Sequence, residues 1–214
     1  MNQQHNERRR VAVLTMELQR GVVGEEASMP ELRRAVEEAD LLAQVARLSQ
    51  AARAAGVPVV HATVEWRADR RGTPTNAPLV GHLTRLPGHL LEDTRAVQLD
   101  PAIRADLGTD LVSMRRHGMT PFTGTSLDAL LRSLEVSDLV ICGVSLNIGI
   151  PGAVFEAVGL GYRVSVPSDG VVGVPVSYGE QVLAHSIAPV ASVTSVDEIL
   201  QRWAAPGAPG DQSG

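Results

Sequence analysis

Four short segments carry residue types able to do chemistry, and each directly follows a run of apolar residues. Glu17 and Gln19 follow Val11 to Met16, and His61 to Trp66 close the run that begins at Val57. Arg115, Arg116 and His117 follow Leu111 to Met114, and Val144 to Gly149 follow Leu139 to Gly143. A carboxylate can give or take a proton, and a guanidinium can hold an anion with a fork of N–H donors. Thiol and amine nucleophiles are scarce. The only cysteine, Cys142, sits inside the apolar run Leu139-Val140-Ile141-Cys142, and all 19 basic residues are arginine. Ser145 is a weak candidate for a replacement nucleophile, because no histidine base stands at a defensible spacing from it.

The apolar runs alternate with longer amphipathic stretches, the pattern of strands buried on both faces of a parallel sheet with helices between them. Strands are predicted at 11–16, 57–64, 110–114, 138–143, 162–166 and 190–194. The expected fold is a single three-layer α/β/α domain, Rossmann-like, with a six-stranded parallel sheet in the order 3-2-1-4-5-6. Helices are predicted over Glu31–Ala55, Ser126–Leu134, Pro151–Leu160, Gly179–Ala188 and Val196–Ala204. Leu41, Leu42, Val45, Ala46, Leu48 and Ala52 form the apolar stripe of the first, and Gly56 stops it. The stretch from Trp66 to Asp100 is broken by Gly72, Pro74, Pro78, Pro87 and Gly88 and reads as a lid or pocket wall. In such sheets ligands bind beyond the carboxyl ends of the strands, which is where the four segments fall.

Bulk properties narrow the function classes. A chain of 214 residues with 44% apolar content is long enough for one sizeable core. Its formal charge of -5 and scattered arginines give no basic field, so nucleic acid is not expected as a partner. The apolar runs are strand-sized, far below the roughly 20 residues of a membrane span. The start, Met1 to Arg10, lacks the pattern of a secretory signal, and one cysteine cannot form an internal disulfide; a cytoplasmic location is expected. Residues 1–10 and 205–214 are read as disordered tails around a domain of 11–204, the second because of its Pro and Gly content.

Four motifs in order and spacing carry a family likeness. They are Val13-Leu14-Thr15-Met16-Glu17-Leu18-Gln19, Arg116 followed six residues later by Phe122-Thr123-Gly124-Thr125, Gly143-Val144-Ser145-Leu146-Asn147-Ile148-Gly149, and Glu156 to Tyr162 with Ser168-Asp169-Gly170. From about Val11 to Trp203 the chain resembles the isochorismatase-like cysteine hydrolases, a superfamily holding nicotinamidases, carbamoylsarcosine amidases and isochorismatase itself. The resemblance places Glu17 where the family has Asp, Arg116 where it has Lys, and Gly149 where the amidases have the nucleophilic Cys. A thioester mechanism is then excluded. Isochorismatases proper resemble this chain in having Gly at that position, after an Ile as in Ile148-Gly149, and cleave a vinyl ether by protonation and water addition.

What the resemblance implies is a hydrolase of a small polar metabolite. Glu17 would serve as general acid or base, Arg116 as its cationic partner or as a clamp on a substrate carboxylate, and water as nucleophile. Burial would favour the neutral acid at Glu17 and a close guanidinium the carboxylate, so pairing with Arg116 points to a general base. The resemblance also implies a cis peptide from Val144 to Ser145 and an oxyanion site from the N–H of Gly149 at the head of a helix. Gln19, His61, Trp66, Asn76, His117, Phe122, Val144, Ser145 and Asn147 are the candidate substrate-contacting residues. For His61 a satisfied core histidine is an equal reading, for Phe122 core packing is the default, and Cys142 reads as a small core residue. Some nicotinamidases place an Asp and two His after the second strand as metal ligands; Glu65 and Asp69 here have no second nearby His, and neither metal nor cofactor is expected. A homo-oligomer, dimer or tetramer, is the family default, and a place in secondary metabolism would suit the chemistry. The competing readings are an inactive family member that binds a ligand or a partner subunit, and an amidase working through Cys142.

Overall fold

Strand β1 (Val11–Met16) shows why the sheet is central: its side chains alternate between two separate cores. Val13 packs with Val59, Val140, Cys142, Leu41, Val45 and Ile199 on one side, while Ala12, Leu14 and Met16 pack with Ile141, Leu127, Leu131, Ile150 and Val154 on the other. The computed structural model describes residues 10–204. The two tail assignments lie outside that range, apart from Arg10, whose carbonyl accepts the N–H groups of Ser137 and Asp138.

In chain order, α1 (Arg20–Val23), α2 (Pro30–Glu38) and α3 (Leu41–Ala54) lead to β2 (Val59–Val64). After α4 (Pro78–Leu83) come β3 (Leu111–Arg115), α5 (Leu127–Ser133), β4 (Asp138–Val144), α6 (Gly149–Gly159) and β5 (Arg163–Pro167). The chain closes with β6 (Val171–Val172), α7 (Val176–Val182), β7 (Ser192–Thr194) and α8 (Val196–Ala204). The strands form one sheet of order β3-β2-β1-β4-β5-β7, with every recorded pairing parallel, and β6 pairs β4 off that path. The expected three-layer α/β fold is therefore present, with seven strands where six were expected. The extra one, β6, is two residues long and carries too short a pattern to announce itself.

Three helices differ from expectation. The segment Glu31–Ala55 is two helices, because Asp40 adopts φ 49°, a left-handed conformation that Asp tolerates better than most residues and that no helix can pass through. Helix α6 begins at Gly149 rather than Pro151; the proline still sits in the first turn, where its missing N–H has no helical partner to lose. Helix α7 starts at Val176 and continues into a π-type turn, Leu183–Ile187. The excursion after β2 is more ordered than its glycines and prolines suggest. It holds α4 and short 3₁₀ turns at Arg95–Val97 and Pro101–Ile103, and it is tied down by bridges between Trp66 and Leu91 and between Gln19 and Leu99.

Candidate functional site

The carboxyl ends of β1, β3 and β4 converge as the parallel topology requires. Glu17 leaves β1 with φ 55°, and its Oε1 accepts a close hydrogen bond from Nη2 of Arg115. The Arg115 side chain is 5% exposed and that of Glu17 is 20% exposed, so the carboxylate is the member of the pair that reaches solvent. Arg116, expected in this place, lies elsewhere: its guanidinium holds Glu65 and Glu92, each at 2.8 Å. Strand alternation explains the exchange. In β3 the buried side chains are Ser113 and Arg115, while Val112 and Met114 face outward, so the residue after Arg115 turns away from Glu17. Counting back from Phe122 missed this because the intervening loop has no period, and because the polar residues of this strand point in and the apolar ones out.

Arg116 instead fastens the excursion to the sheet, since Glu65 follows β2 and Glu92 lies in the excursion beside Trp66. Arg116→Ala should speed limited proteolysis between residues 66 and 100 several-fold, with little change in melting temperature, because both ion pairs are partly solvated. Unchanged cleavage would show that the bridges fasten nothing.

The turn after β4 has the form the resemblance implied. Val144–Ser145 is cis, and Gly143 has φ 113° with its α-carbon so close to β1 that a Cβ would lie 2.4 Å from the Met16 carbonyl oxygen. No other residue type fits there. Gly149 is the first residue of α6 and is buried. A Cβ on it would lie 3.2 Å from the Val144 carbonyl oxygen and 3.3 Å from the Met16 methyl, so the side chain of Met16 lines the position to which the resemblance assigned the family's thiol. Among the described residues the N–H groups of Ser145 and Gly149 take no carbonyl partner. Both remain available as donors at the positive end of an eleven-residue helix.

Several expected contact residues turn out to belong to the scaffold. Gln19 is fully buried; its Nε2 donates to the carbonyls of Val64 and Val97 at 2.9 and 2.8 Å, and its Oε1 accepts from Val64 N–H at 2.9 Å. Every hydrogen-bonding direction but one oxygen lone pair is used. Asn147 is similarly engaged with the backbone of Val174, donating to its carbonyl at 2.5 Å and accepting its N–H at 2.9 Å. His61 is a core histidine: Thr15 Oγ1 lies 2.8 Å from Nδ1 and Asp110 Oδ2 lies 3.1 Å from Nε2, and burial lowers the ring's pKa against the pull of Asp110. Phe122 is buried against Tyr162, with ring centres 6.1 Å apart, and Val144 is wholly buried. These five act by positioning.

Trp66 is also buried, with its ring 5.3 Å from that of His89 and the Arg70 guanidinium 5.1 Å from its centre. Asn76 is exposed on the excursion, and His117 is exposed with its ring facing Gly72 of the same excursion. Ser145 is half-buried. Cys142 is buried in β4, and burial pushes its thiol up to about 12, leaving no thiolate for nucleophilic chemistry near neutral pH. Glu65 is paired with Arg116 and Asp69 with Arg67. Among the described residues no group of three or more His, Cys, Asp or Glu could hold a metal ion, and no helix is long and apolar enough to cross a membrane.

His89 gives a pH signature. Burial, reinforced by Arg70, lowers it from 6.5 to about 4, while Ser28 Oγ stands 2.8 Å from Nδ1. Above pH 6.5 the ring is neutral in both folded and unfolded chains. Between pH 6.5 and 4 the unfolded chain takes up the proton that the folded one refuses, so stability falls, by about 2 kcal/mol at pH 5. Urea titrations at pH 7 and 5 should show a smaller loss in His89→Gln than in the parent protein. Equal losses would remove His89 as the cause.

The family model described as the Isochorismatase domain matches residues 11–198. The chain is 27% identical over 164 residues to the isochorismatase family protein YecD of Escherichia coli O157:H7, spanning 75% of this chain and 82% of that protein. It is 27% identical over 132 residues to N-carbamoylsarcosine amidase of an Arthrobacter species, spanning 61% of this chain and 49% of the amidase. An isochorismatase family protein from Burkholderia thailandensis superposes with a TM-score of 0.72 at 25% identity, covering 89% of this chain and 94% of that one. A cysteine hydrolase from Pseudomonas syringae pv. phaseolicola superposes with a TM-score of 0.78 at 23% identity, covering 91% and 92%. With the matched segment running from the first residue of β1 into α8, the chain belongs to the isochorismatase family.

Proposed function

We propose that this chain is a hydrolase of a small polar metabolite that works without a thiol, with Glu17 as general base toward water. The observation that carries the reading is the Glu17–Arg115 pair at the carboxyl end of β1, next in the chain to Met16, whose side chain meets Gly149 at the head of α6, in a chain whose single thiol is sealed in β4. Arg115 takes the cationic place that spacing assigns to Arg116. It keeps Glu17 anchored by one oxygen while the other is free to accept a proton from water. Ser145 and Gly149 N–H would receive the oxygen that gains charge, and Met16 supplies the apolar wall against which the reacting carbon rests. The amidase and nicotinamidase names among the relatives point to C–N bonds, which a base-activated water can attack; a vinyl ether, to which the glycine at 149 points, would need Glu17 in its protonated form as the acid.

A turnover screen on isochorismate, simple amides and cyclic imides, run in parallel on the parent protein and Glu17→Gln, tests the reading. Turnover lost in the variant supports it, and iodoacetamide should leave the parent rate unchanged. Equal rates in both proteins, or no turnover on any substrate with tight binding retained, would favour the second reading, a family member that binds without reacting. That alternative draws on Met16, whose methyl stands where a nucleophile at residue 149 would need room. Dimer or tetramer formation belongs with the proposal, and sedimentation velocity would decide it.

A further inference from the structure

The two edges of the sheet are guarded differently. At one edge β7 is three residues long, and a strand that short offers little to pair with. At the other β3 is five residues long, and its outward side chains are Val112, 48% exposed, and Met114, 40% exposed. Natural edge strands are ordinarily protected by charge, proline or a bulge. Neither outward position of β3 carries a charge or a proline, because the charged residue of the strand, Arg115, is turned inward to Glu17.

The ladder to β2 fixes where the backbone of β3 points. The carbonyl of Arg115 accepts the N–H of Glu65, and along a strand the residues turn both backbone groups alternately to one neighbour and to the other. Leu111, Ser113 and Arg115 therefore face β2, while the N–H and C=O of Val112 and Met114 face the free edge. Among the described residues none of these outward groups has a hydrogen-bond partner. The two exposed apolar residues are thus the two whose backbone is unpaired.

We propose that β3 pairs antiparallel with β3 of a second copy of this chain, about a twofold axis through Ser113, so that two sheets join into one. This register sets Val112 opposite Met114 of the second copy and Met114 opposite its Val112, in hydrogen-bonded pairs that exchange both N–H···O bonds. Ser113 meets its own counterpart in a non-hydrogen-bonded pair, where α-carbons approach to about 4.5 Å, and serine is the smallest residue of the strand. Beyond the strand Asp110 falls opposite Arg116, so no like charges meet across the axis. An axis through Val112 would set Met114 against Asp110, and one through Met114 would set Val112 against Arg116; only Ser113 matches apolar with apolar. That self-complementarity selects a second copy over an extended segment of another protein. A ladder of five residues a side is short, and association is reversible. The pairing gives an interface to the homo-oligomer proposed with the hydrolase reading, and it rests on that part of the reading alone.

Sedimentation velocity should show the parent protein passing from monomer to dimer as its concentration rises. Val112→Pro removes one outward N–H and no bond to β2, and Met114→Lys brings a charge to the apolar pair; each should raise the dimer dissociation constant at least tenfold with circular dichroism unchanged. Cysteine pairing reads the register, because α-carbons of a hydrogen-bonded pair stand about 5.5 Å apart, within disulfide range. Under diamide a mixture of Val112→Cys and Met114→Cys should give covalent dimers, whereas either variant alone should give few, its two cysteines lying two residues out of line. Cys142 is buried and takes no part. This arm stands even if Val112→Pro fails to fold. A parent protein that stays monomeric would overturn the proposal and leave the edge to another chain. A dimer undiminished in both edge variants, or cross-linked as well in either cysteine variant alone, would overturn this interface and keep the oligomer. Turnover in the substrate screen is read separately, so the hydrolase reading stands or falls on its own result.

Discussion

Glu17→Gln is expected to lower kcat by about 10² to 10⁴, the range contributed by a positioned general base. The amide keeps the shape of the side chain and still offers an oxygen to Arg115, so the fold should hold and KM should move little. What it loses is the lone-pair basicity needed to take a proton from water. Steady-state kinetics on the best substrate of the screen, with circular dichroism to show an intact fold, checks this. A loss of less than about fivefold would mean that Glu17 neutralises Arg115 and does nothing else. Arg115→Lys gives the complementary result: an ammonium can still accompany the carboxylate, so kcat should fall far less than in Glu17→Gln.

Gln19→Ala should be the most destabilising single change near the site, and its effect should be on stability rather than on rate constants. The Gln19 amide satisfies both backbone groups of Val64 and the carbonyl of Val97 from a fully buried position. Truncation leaves three buried backbone groups unpaired at about 1 to 3 kcal/mol each, offset where water enters, so a loss of about 3 to 5 kcal/mol is expected. For a chain of this size that is a fall in melting temperature of roughly 10 °C. Gln19→Glu is the sharper probe: it keeps the acceptor for Val64 N–H but turns a carboxylate oxygen toward two carbonyls. It should be at least as destabilising as the alanine variant. A Gln19→Ala protein with parental stability and a raised KM would return Gln19 to the substrate.

Sequence alone determined the layered α/β fold and six of the seven strands to within two residues, because alternating apolar runs and helix stripes are local records of burial; the cis turn before Gly149 was legible only through the family resemblance. It also placed Glu17, whose position at the end of β1 follows from counting along one strand. The choice of cationic partner was left to tertiary structure. Ser113 and Arg115 face inward although Val112 and Met114 are the apolar residues, because β3 is an edge strand whose outer positions no neighbouring layer covers. The roles of Gln19, Asn147 and His61 were settled in the same way, by backbone and side-chain partners 27 to 78 residues distant in the chain. Hydrogen bonds of that range leave no periodic trace, so a polar residue beside a strand end looks the same in sequence whether it meets a ligand or the backbone of another loop.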